Sequence, residues 1–112
     1  MTTHVETRHA IHPDHAKRMD TADLRRHFLA EGLFADAEVR LVYTHYDRFV
    51  VGGAVPDGAD ITLDKIAETK TATFLERREM GIVNIGEAGS VTAAGQTWEM
   101  KKGDVLYLGM EI

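Results

Sequence analysis

GIVNIGEAGSVTAAGQTWEMKKGDVLYLG, Gly81 to Gly109, holds four short runs rich in β-formers: GIVNIG, GSVTAAG, QTWEM and DVLYLG. They are separated by EAG, AAGQ and KKGD, whose glycines supply the backbone freedom that tight connections need. Short strands with turn signals at this spacing predict a β-sandwich or barrel. The AAGQ junction predicts a hairpin, with Gly95 in the unusual conformation.

The same period of two governs the stretch before it. In EVRLVYTHYD, Val39, Leu41, Tyr43 and His45 alternate with Glu38, Arg40, Val42, Thr44 and Tyr46, and RFVVGGAV follows Asp47 as a second β-rich run. Gly52 and Gly53 predict a bend or bulge in it. Pro56, Asp57 and Gly58 form a turn, and ITLDKIAETK reads equally as strand or short helix.

Further toward the N-terminus the pattern changes. Asp20 or Thr21 can cap a helix over TADLRRHFLAEG, in which Leu24, Phe28 and Leu29 share a face and Gly32 is placed to end it. The first twenty residues are polar and rich in histidine, and Pro13 interrupts an early helix, so they read as an extended arm over the surface or a neighbouring subunit. The expected organisation is an arm over residues 1–20, a short helix and connection over 21–37, and a β domain over 38–112.

Bulk properties limit the function. The 112 residues suit one domain, and 44% apolar with 28% charged residues is ordinary for a soluble globular protein. A net charge of −5 argues against general affinity for nucleic acid or anionic membrane. With no cysteine, disulfides, thiolate zinc sites and thiol catalysis are excluded. The N-terminus lacks the apolar core of a secretory signal and no apolar run reaches membrane-spanning length, so a cytoplasmic protein is expected.

Candidate chemistry is sparse. His9, His12 and His15 recur at intervals of three, which on a continuous helix would place three rings along one side for a metal; Pro13 breaks that helix, and polar or interface histidines are the plainer reading. His45 falls on an apolar strand face, where a hydrogen-bonded core histidine is commoner than a ligand. Asp47 and Arg48 suit a turn-shaping ion pair, and Arg48 also suits a sugar carboxylate. In TFLERREMG, Glu76 and Glu79 offer two carboxylates, but adjacency does not place them across a substrate, and pairing with Arg77 and Arg78 would keep both ionised. No G-x-S-x-G, phosphate-loop, dinucleotide-binding, H-E-x-x-H or EF-hand pattern is present.

Three segments, IHPDHAKRMDTADLRRHFL, YTHYDRFVVGGAVP and FLERREMGIVNIGEAGSV, resemble in order and spacing the N-terminal half of the 5-keto-4-deoxyuronate isomerase family. The resemblance runs from about Ile11 to Gly109. It implies a bicupin with two β-barrel domains, zinc in the second, and a homohexamer. It also implies a reaction of pectin breakdown, the interconversion of 5-keto-4-deoxyuronate and a 2,5-diketo acid through an enediol, with a carboxylate clamp of Arg or Lys.

The zinc-bearing cupin of that family carries H-x-H-E-R-R-x-E. Here Glu76, Arg77 and Arg78 match the central E-R-R, while Thr73, Leu75 and Met80 stand at the three ligand places. A later cupin motif keeps Gly95 and the KKGD turn but has Lys101 for its Pro and Leu106 for its His. Glu79 stands one place before the ligand position, on the opposite strand face.

The resemblance therefore implies a cupin-like antiparallel β domain without metal, incomplete at its C-terminus, and belonging to a longer enzyme. Zinc would belong to the missing second cupin, and the partners would be that cupin or other copies of the chain. No catalytic or metal residue is assigned; His12, His15, Arg48 and Arg77 are the candidate substrate contacts. The alternative is a free-standing cupin-like module that binds a sugar acid or an oligomer partner.

Overall fold

A computed structural model of the chain describes residues 2–110. It is mainly β. In chain order the elements are β1 (Thr2–Arg8), α1 (Pro13–Ala16), α2 (Thr21–Phe28), β2 (Glu38–Thr44), β3 (Val50–Ala54), a 3-10 turn (Ala67–Thr69), β4 (Met80–Val83), β5 (Gly89–Ala93), β6 (Gln96–Met100) and β7 (Val105–Leu108). The chain divides into two compact units, Met1–Leu63 and Asp64–Ile112, so the division falls inside the stretch read from sequence as one β domain.

The first unit is a three-stranded sheet in the order β1-β2-β3. The first part of the expected arm is a strand: β1 pairs with β2 in parallel, from Thr2 opposite Glu38 to Arg8 opposite Thr44. A parallel pair needs a long crossover, and α1 and α2 lie within it. Pro13 does not prevent an early helix, because it occupies the first turn of α1, where a missing N–H is harmless.

Asp20 caps α2 as expected, its carboxylate accepting from the Asp23 N–H at 2.8 Å. The helix ends earlier than Gly32, because Leu29 already takes an extended conformation. Gly32 instead turns the following chain at φ +70°, and its carbonyl accepts from Arg40 Nη1 at 3.0 Å.

β2 and β3 form the expected antiparallel pair, with Tyr43 opposite Val50 and Val39 opposite Ala54. Val39, Leu41, Val42 and Tyr43 are all buried, so β2 is covered on both faces, as a central strand should be. The glycine pair makes no bulge, since the register runs unbroken through Gly52 and Gly53. Close approach explains them: a Cβ on Gly53 would come within 2.6 Å of the Leu33 carbonyl oxygen, and one on Gly52 within 2.9 Å of that of Arg40.

In the second unit the four predicted strands are present as two antiparallel ribbons, β4-β7 and β5-β6. Ala94 and Gly95, at φ 51° and 75°, close the β5-β6 hairpin as the two-residue turn whose twist matches that of the strands. The ambiguous stretch before it supplies only the 3-10 turn. Ile66, Phe74, Leu75, Met100 and Leu108 form its core. Among the described residues no sheet closes into a barrel, and no helix is long and apolar enough to cross a membrane.

Candidate functional site

The charged turn from Phe74 to Glu79 is built as scaffold. Phe74 and Leu75 are turned inward, at 8% and 5% exposure, and the charges are left outside. Thr71 Oγ1 donates to the Thr73 carbonyl at 2.7 Å, and the Glu76 carboxylate accepts from the Ala72 N–H at 3.0 Å. Arg77, a sequence-derived candidate, reaches back to Glu76 at 3.5 Å and is exposed. An ion pair so open to water holds little energy.

Glu79 is occupied elsewhere. Its carboxylate accepts from the Tyr107 hydroxyl at 2.6 Å, and this hydrogen bond to a charged acceptor raises the phenol's pKa. Tyr107 lies opposite Gly81, whereas Met80 lies opposite buried Leu108, so Glu79 and Met80 serve different faces of the ribbon. The three places matching a metal motif therefore hold a hydroxyl, a core leucine and a strand methionine. Such a set does not fit zinc. Among the described residues no three His, Asp or Glu side chains are grouped to hold a metal ion.

His9, His12 and His15 separate into three local roles. His12 caps α1, its Nδ1 accepting from the Asp14 N–H at 3.0 Å. His15 sits in the last turn of that helix and is exposed. His9 lies past the end of β1 and stacks on His45, with ring centroids 4.4 Å apart and planes 7° from parallel.

His45 differs from its expected core position. β2 ends at Thr44, so His45 begins the turn and is exposed, with the Tyr43 ring edge-on to it at 5.4 Å. Thr44 holds that turn, its hydroxyl donating to the Phe49 carbonyl at 2.7 Å, and Asp47 and Arg48 sit at the tip with φ of 55° and 57°. The Ile11 N–H donates to the Tyr46 hydroxyl at 3.1 Å, which ties the chain just before His12 to the same turn.

The first unit also has a cleft of about 260 Å³ between β2, β3 and the end of α2. Phe28, Val42 and Val51 give it an apolar lining, and Arg8, His27 and Tyr46 line it as well. Arg8 is largely engaged, donating to Glu6 and to the Leu29 carbonyl. None of His12, His15, Arg48 or Arg77 lines this cleft. Sequence reasoning missed it because Arg8, His27 and Tyr46 share no spacing; the parallel pairing of β1 brings Arg8 there.

No family model matches the chain. Curated relatives do. It is 66% identical over 105 residues to the 4-deoxy-L-threo-5-hexosulose-uronate ketol-isomerase of Agrobacterium fabrum, covering 94% of this chain and 38% of that protein. Proteins of the same name from Cereibacter sphaeroides and Formosa agariphila are 60% identical over 108 residues and 46% over 110, covering 96% and 98% of this chain. The chain spans 39% of the length of each of these two relatives. Identity at this level across nearly every residue described above makes the chain a member of the 4-deoxy-L-threo-5-hexosulose-uronate ketol-isomerase family.

Proposed function

We propose that the chain is the N-terminal, structural portion of a ketol-isomerase that interconverts 5-keto-4-deoxyuronate and the corresponding 2,5-diketo acid in cytoplasmic pectin degradation. The observation that carries this reading is the 66% identity over 94% of the chain to a protein of that name, of which the matched stretch is only 38%. The β-rich architecture suits a cupin-like domain completed by the remaining chain, and the whole enzyme would be a homohexamer.

Ketol isomerisation moves a proton between adjacent carbons, so it needs a placed base and something to stabilise an enediolate. The residues here favour support over chemistry. Glu76 accepts a backbone N–H, Glu79 accepts from Tyr107, and Leu75 is buried. The zinc implied by the family resemblance does not fit Thr73, Leu75 and Met80, and would belong to the rest of the enzyme.

The test compares the full-length protein that contains these residues with the 112-residue chain, each incubated with 5-keto-4-deoxyuronate and followed by NMR. Conversion by the full-length protein and none by the short chain is the expected result. Turnover by the short chain overturns the structural role, and absence of turnover in the full-length protein overturns the enzyme assignment.

A further inference from the structure

The β4-β7 ribbon is apolar on both faces. On the inner face Leu108 is buried and Met80, Ile82 and Leu106 are half-buried. On the other, Val83 pairs with Val105 and Gly81 with Tyr107, and these side chains are 58%, 68% and 64% exposed for Val83, Val105 and Tyr107. Ile85 and Met110, just beyond the two strands, add 60% and 59%. Among the described residues these five are the exposed large apolar side chains of the second unit, three of them on the outer face of the ribbon and two just past its strand ends.

Strands apolar on both faces belong between two covering layers, because a face meant for water alternates to polar residues. A contiguous apolar surface of this kind marks a contact site. We propose that the outer face of β4 and β7 is the seat of the remainder of the same polypeptide in the full-length protein. The proposal rests on the reading of the chain as part of a longer isomerase.

The occupant follows from length and tethering. The matched stretch is 38% of the relative from Agrobacterium fabrum, so most of such a protein lies outside it. A covalently attached segment is present at a millimolar effective concentration, far above that of a free second copy. The Tyr107 hydroxyl, already bonded to Glu79, lets its ring be covered without an unpaired polar atom.

The test uses the full-length protein with p-benzoylphenylalanine replacing Tyr107, an aromatic-for-aromatic change, and maps the photo-adduct by mass spectrometry. An adduct within one polypeptide to a peptide beyond residue 112 is expected. An adduct of doubled mass, which reports a second copy, or one within residues 2–63, overturns the proposal.

A second pair of variants guards against a misfolded crosslinker protein. Maleimide labelling of Val105→Cys should be roughly tenfold or more slower than that of Lys102→Cys at the exposed turn; equal rates overturn the proposal. Neither readout depends on turnover. An inactive protein with a protected ribbon would therefore sink only the enzyme assignment, and an active one with an open ribbon only this inference.

Discussion

At the scale of the residue, Leu75 and Glu38 show how position decides what a side chain can do. Leu75 stands at a place where the resemblance read from the sequence implies a metal-binding histidine, and its burial at 5% exposure makes it core. The charged neighbours that identified the motif in the sequence are thereby released to surface pairs. Glu38 is the opposite case, an acid whose charge is used. Arg40 Nε donates to it at 2.8 Å, and His4 Nε2 lies 3.4 Å away. The hydrogen bond from Arg40 is the main cause holding its pKa below the ordinary value, against a smaller opposing effect of burial.

A carboxylate whose pKa is lower in the folded state stabilises the fold above its unfolded pKa, and that contribution is lost as pH falls through the folded one. The denaturation midpoint should therefore fall as pH drops below about 4.5, the ordinary value for this group. Glu38→Gln should flatten that part of the dependence while leaving the neutral-pH fold intact. Urea titrations of both proteins on each side of that value check it; identical acid slopes would show that Glu38 carries none of it.

At the scale of the element, what was legible was whatever writes itself as a local period or cap. The alternation in Val39, Leu41 and Tyr43, the Asp20 cap and the Gly95 hairpin all act within a few residues, and all are present. What was not legible depends on distant partners. β1 is polar, so only the free edge of β2 makes it a strand. Gly52 and Gly53 resemble a bulge signal, yet their cause is the chain at Leu33 and the facing strand. His45 lost its expected core place because a turn began one residue earlier than the alternation implied.

Asn84 belongs to this scale as well. Its amide nitrogen donates to the carbonyls of Glu87 and Met100 at 2.9 and 3.0 Å, and its side-chain oxygen accepts from the Gly86 N–H at 2.9 Å. One residue after β4 thereby fastens the loop into β5 and the end of β6. Asn84→Ala should cost about 2–3 kcal/mol, from three hydrogen bonds worth about 1 kcal/mol each. Denaturation followed by fluorescence of Trp98, the only tryptophan, checks this; a loss under about 0.5 kcal/mol would remove Asn84 from that role.

At the scale of the whole molecule, the family was legible because the E-R-R core and the flanking segments keep their order. The cleft beside α2 was not, since it assembles residues from β1, α2 and the turn after β2. Nor was the division at Leu63, because ITLDKIAETK offers strand and helix signals of equal weight. From Pro56 to Ile66 the backbone takes no helix or strand, and Lys65 within that stretch is exposed. Proteases need a segment that can leave its surroundings without breaking a ladder of hydrogen bonds.

Limited trypsin treatment of the chain should therefore cut first after Lys65, giving fragments of residues 1–65 and 66–112. Arg25 and Arg26 lie within α2, and Lys101 and Lys102 within a turn closed by the Asp104 carboxylate accepting from the Lys101 N–H at 2.7 Å, so both should be cut later. Mass spectrometry of early time points reads the order. First cleavage at Arg25 or Lys101 would mean that an element of one unit opens more readily than the stretch joining the two.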